Sequence, residues 1–86
     1  MAIFTRVEFL GAVAGVLYEI HRAQSSSGEL YGYRLVRRYL KWPDREAQVT
    51  GLHKSARDAR RTGVAIIEEL RAAINEGRVN RERYPS

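Results

Sequence analysis

Lys54, Arg57, Arg60 and Arg61 follow one another at three- and four-residue spacing, so on a helix they share one face, turned away from Leu52, Ala56 and Ala59. Such a row of cations can track a line of phosphates. It belongs to a longer basic segment. Between residues 34 and 61 the chain carries nine bases (Arg34, Arg37, Arg38, Lys41, Arg45, Lys54, Arg57, Arg60, Arg61) and three acids (Asp44, Glu46, Asp58), a net of +6, while the rest carries six bases and seven acids. Thirteen of the fifteen basic residues are arginine, whose fork of N–H donors suits bidentate contact with phosphate. The candidate nucleic-acid-contacting set is therefore Arg34, Arg37, Arg38, Lys54, Arg57, Arg60 and Arg61, with nucleic acid, DNA first, as the expected partner. The competing reading of the same residues is a solvated helix face, because Asp58 lies within the row.

Other chemistries find no support in the residue pattern. His21 and His53 lie far apart, no His–Glu pair has metal-ligand spacing, and no serine or threonine sits in a nucleophile-elbow or phosphate-loop context. The adjacent Glu68 and Glu69 read as salt-bridge partners of Arg71 or Arg61. Neither enzymatic activity nor a cofactor or metal is expected, and no residue is assigned as catalytic. Tyr31, Tyr33, Tyr39 and Trp42 could stack on bases, but beside Leu and Val at helical spacing they read as core. The absence of cysteine points to an intracellular, cytoplasmic setting. The apolar run from Phe9 to Leu17, flanked by Glu8 and Glu19, falls well short of the roughly 20 residues a bilayer span requires, so no membrane partner is expected.

Eighty-six residues make one small domain, expected over 1–77 and followed by a basic flexible tail over 78–86. Thr5 and Glu8 have capping-box spacing before apolar positions Val7, Leu10, Ala14, Leu17 and His21, which predicts a first helix over 6–24. Ser26 and Glu29 repeat the box, predicting a second helix from about 27 to 41, ended by Pro43. From 43 to 76 a stripe of Leu52, Ala56, Ala59, Gly63, Ile66, Leu70 and Ala73 predicts a third helix, either continuous or divided at Thr50-Gly51 or Thr62-Gly63, with Gly77 as its stop. The expected fold is all-α with three main helices. The stripe reads as a seam for another helix, so Leu52, Ala56, Ala59, Gly63, Ile66 and Leu70 form the candidate interface of a homo-oligomer. The alternative function is accordingly a non-enzymatic helical interaction protein, such as an assembly factor, structural subunit or inhibitor, that acts through this last helix.

The stretch Gly28-Glu-Leu-Tyr-Gly-Tyr-Arg-Leu-Val-Arg-Arg38 resembles the start of the PadR family of winged-helix transcriptional regulators, in which a Leu-Tyr-Gly-Tyr-x-Leu segment follows a first helix rich in Leu and Ala. Residues 62–77, from Thr62 to Gly77, are loosely similar to that family's recognition helix and the Glu-Gly leading into its wing. The resemblance implies a DNA-binding transcriptional regulator, helix-turn-helix-like without a full wing, with Thr62, Val64 and Ala65 facing DNA.

Overall fold

In the computed structural model, which describes residues 2–77, the N-terminal half of the chain is a β-meander. Strands β1 (Ala2–Val13), β2 (Val16–Ser25), β3 (Leu30–Tyr39) and β4 (Glu46–Gln48) form one antiparallel sheet in the order β1-β2-β3-β4, and a single helix, α1 (Ala56–Asn75), packs on one face. The expected all-α fold is thus corrected. The first two expected helices are strands, and the third begins at Ala56 instead of Pro43. With them goes the helix-turn-helix arrangement that the PadR resemblance implied, since residues 30–38 lie on β3. The tail expected over 78–86 lies outside the described residues.

The turns explain why strands form where helices were expected. Val13 and Val16 pair across a two-residue turn in which both Ala14 (φ 49°) and Gly15 (φ 81°) are left-handed. This is the type I′ geometry whose twist matches that of the flanking strands. A helix through 6–24 would require right-handed dihedrals at both residues. At the second hairpin it is Ser25, not the expected cap Ser26, that engages Glu29: Ser25 N–H donates to the Glu29 carbonyl at 2.8 Å, while the Ser25 hydroxyl accepts from Glu29 N–H at 2.9 Å. Ser26, at capping-box spacing from Glu29, lies instead in the turn between two strands.

Between the turns, β1 is rich in β-branched and aromatic residues (Ile3, Phe4, Thr5, Val7, Phe9, Val13), which favour strands. On β2, Val16, Tyr18 and Ile20 face the helix, and Glu19, His21 and Ala23 are buried on the other face. β2 is internal, flanked by β1 and β3, and its Tyr18-Glu-Ile-His alternation follows directly on the apolar run Phe9–Leu17, which spans the end of β1, the turn and only the first two residues of β2, so the run masks the strand period. After β4 the chain continues beside β3. Val49 N–H donates to the Leu35 carbonyl at 2.8 Å, and Tyr33 and His53 exchange two backbone hydrogen bonds of 2.9 and 2.6 Å. The His53 carbonyl approaches β3 so closely that a Cβ on Gly32 (φ 145°) would lie 2.7 Å from its oxygen, which requires glycine there.

Ser55 opens α1 by accepting the Asp58 N–H on its hydroxyl at 3.1 Å. Gly77 (φ 76°) ends the helix, its N–H bonded to the Ile74 carbonyl at 3.1 Å. The buried face of α1 comprises Ala59, Gly63, Ile67 and Ala73. Ile67 joins Val13, Val16 and Tyr18 in the core, with Leu10, Tyr39, Val49, Ile66, Leu70 and Ile74 packed around them. At Gly63 the helix lies directly on the sheet, where a Cβ would collide with the side chains of Leu10 and Leu35.

Candidate nucleic-acid interface

The fold divides the seven basic residues singled out above among different surfaces. Arg57 and Arg61 lie on the exposed side of α1, Lys54 lies exposed just before it, and no ion pair engages any of the three among the described residues. Arg60, also exposed, is anchored: its guanidinium donates to the Glu8 carboxylate on β1 at 2.8–3.0 Å. The Arg60 hydrogen bond holds the Glu8 carboxyl below its ordinary range, and Glu8 in return raises the Arg60 value. Arg37 pairs in register with Tyr18 and Ala47 on the helix-facing side of the sheet. Arg34 and Arg38 lie on the opposite, helix-free face.

That open face is ordered in rows read directly from the register. Phe4 aligns with Ala23 and Gly32, Arg6 with His21 and Arg34, Phe9 with Glu19, Val36 and Gln48, and Ala12 with Leu17, Arg38 and Glu46. Its centre is polar and buried: Glu19 is 1% and His21 5% exposed. One Glu19 carboxylate oxygen accepts from His21 Nε2 at 3.1 Å and Arg38 Nε at 3.4 Å, and the other accepts from Arg6 Nη1 at 3.2 Å. A second carboxylate, Glu46, accepts from Arg38 at 3.0 Å and Arg34 at 3.2 Å. Three guanidinium groups are thus held upright by two carboxylates, leaving an excess of positive charge. Burial opposes ionisation of Glu19, but the hydrogen bonds from His21 and Arg6 and the charge of Arg38 outweigh it and hold the carboxyl below its ordinary range.

Aromatic surface flanks these charges. Arg34 lies over the Phe4 ring with its guanidinium carbon 3.6 Å from the centroid. Phe4 and Phe9 are 43% and 54% exposed, and the Arg6 side chain between them is 65% exposed. Along β1 the open face therefore presents ring, guanidinium, ring. None of these three residues belonged to the sequence-derived set. The available signal was the alternation Phe4, Thr5, Arg6, which a capping-box reading of Thr5 and Glu8 obscured.

The candidate oligomer stripe is occupied differently from the expected seam. Ala59 and Gly63 are buried against the sheet of their own chain, with Ile66 and Leu70 packed on its core, Ala56 half-buried and Leu52 exposed before the helix. A shallow cleft of about 250 Å³ between the β1–β2 turn and the end of α1, lined by Ala12, Val13, Ala14, Arg71, Ile74 and Asn75, has Arg71 as its one charged side chain. Among the described residues no helix is long and apolar enough to cross a membrane, and no group of three acidic or histidine side chains could hold a metal ion. In comparisons with known proteins, no family model, no curated protein and no solved structure matches this chain.

Proposed function

We propose that this protein binds nucleic acid through arginine–phosphate contacts. The observation that carries the reading is the placement of Lys54, Arg57 and Arg61 without acidic partners around the first turns of α1. The N-terminal end of a helix bears partial positive charge, so cations there cost stability, on the order of 0.3–1 kcal/mol each for exposed groups. Lys54 and Arg57 occupy that end, and neither makes a contact within the described chain that offsets the cost. A phosphate backbone would satisfy both the side chains and the helix end. The alternative of a helix that pairs with another chain is weakened by the packing of the apolar face of α1 on its own sheet.

The test is a titration of labelled nucleic acid, duplex and single-stranded, at about 50 and about 200 mM salt, where phosphate contacts weaken steeply. Replacing Arg57 and Arg61 by Ala removes two contacts and should reduce the salt slope by about 1.4–1.8, while helicity persists because Ala is the better helix former. Failure of the parent protein to bind either form at low salt refutes the reading.

A further inference from the structure

We infer that the open sheet face, and not only the helix, takes nucleic acid, and that it takes single strands whose bases stack on Phe4 and Phe9 while Arg6 and Arg38 hold the phosphates. This deepens the nucleic-acid reading above and rests on it. Four observations converge. Among the described residues no second layer covers this face, since α1 packs on the other side. Its two phenylalanines are exposed, although apolar rings on a sheet are ordinarily covered. Arg6 sits between them on the same strand and uses one N–H on Glu19, leaving donors for an anion. Finally, the three guanidinium groups exceed the two carboxylates that orient them, so the face complements a polyanion.

The choice of single strand over duplex follows from the rings. A duplex hides the faces of its bases in its own stack, whereas a single strand offers them to aromatic side chains. Phe4 already stacks on Arg34, and Arg34 is the less exposed member of that pair, its side chain 13% accessible, so the outer face of the Phe4 ring is turned to solvent. Because a bulge at Val7 intervenes, Phe4 and Phe9 align with Ala23 and Glu19, four residues apart on β2, and so lie about 13 Å apart, a span one nucleic-acid strand can follow with Arg6 between them. The buried Glu19 and His21 act beneath this surface as positioning residues, fixing Arg6 and Arg38 where phosphates would pass.

The experiment uses the full chain with fluorescently labelled oligo(dT), oligo(U) and a duplex of the same length, read by anisotropy. Oligo(dT) or oligo(U) should bind at least about 10-fold more tightly than the duplex. Phe4→Leu and Phe9→Leu keep apolar volume but remove the ring, and each should weaken single-strand binding by about 5- to 150-fold without changing the salt slope. Phe9→Tyr should retain affinity. Because Phe9 is the more exposed ring, its variants report on binding even if Phe4→Leu fails to fold. Equal affinity for duplex and single strand, or silent Phe variants alongside a loss on Arg57→Ala/Arg61→Ala, overturns this inference and leaves the broader reading intact. Absence of binding to all three probes overturns both.

Discussion

Replacing Glu19 by Gln tests whether the buried polar cluster is a structural keystone of the open face. The carboxylate accepts from His21 Nε2, Arg38 Nε and Arg6 Nη1, and its side chain is only 2% exposed. An amide has nearly the same shape but a single acceptor oxygen. In either orientation its NH₂ group faces a donor, Arg6 on one side or His21 and Arg38 on the other. The substitution therefore removes at least one charge-assisted hydrogen bond, worth roughly 1.5–3 kcal/mol, and opposes two donors in a buried site, for a total of about 2–4 kcal/mol. For a domain of this size that corresponds to a fall in Tm of roughly 8–30 °C. Urea unfolding at pH 7 measures the difference directly. The folded-state carboxyl is held below its ordinary value, so its contribution is complete above the unfolded pKa and is lost as pH falls through the folded one. The gap between parent and variant should accordingly narrow as pH falls through and below the ordinary carboxylate range. A change under about 0.5 kcal/mol at neutral pH, or a gap that widens in acid, would refute the reasoning.

Other substitutions probe other joints of the fold. Gly32→Ala places a methyl group 2.7 Å from the His53 carbonyl in a strained backbone; the strain alone should cost about 1–3 kcal/mol in chemical unfolding, and an unchanged midpoint would contradict the close approach. Arg60→Ala breaks an exposed pair with Glu8 and should lower the unfolding midpoint only slightly, an effect that vanishes in high salt; a salt-insensitive loss would show that packing matters more. Leu70→Asp puts a carboxylate against the core formed by Ile67 and Val16, so thermal unfolding should show a loss of several kcal/mol; an unaltered Tm would argue against this helix–sheet contact. Far-UV circular dichroism should show sheet exceeding helix, and a predominantly helical spectrum would contradict the meander.

The C-terminal third was legible because α1 covers the sheet with one stripe, and its stop at Gly77 is a left-handed cap that only local chemistry needs. The N-terminal half was not, for three physical reasons. The apolar run Phe9–Leu17 spans the end of β1, the turn and the start of β2, and its Leu10, Ala14 and Leu17 happen to keep helical spacing with His21. Bulges at Val7 and Leu10 interrupted the period of β1. The β1–β2 turn uses Ala14-Gly15, which lacks the Asn-Gly signal of such hairpins, and Ser26 with Glu29 imitates a cap. Charge arithmetic found the basic segment but could not sort it by face. On a helix Arg34, Arg37 and Arg38 would lie together, while on a strand the odd-numbered Arg37 points away from the other two.

The most direct test of nucleic-acid binding and its location is a titration of ¹⁵N-labelled protein with short oligo(dT) at low salt, followed by backbone amide shifts. Shifts are expected to concentrate at residues 4–9 and 34–38 on the strands that carry the open face and at 54–61 around the start of α1, all reversed by raising the salt to about 200 mM. A spectrum unchanged at saturating oligonucleotide, or shifts confined to the cleft around Ile74, would contradict it.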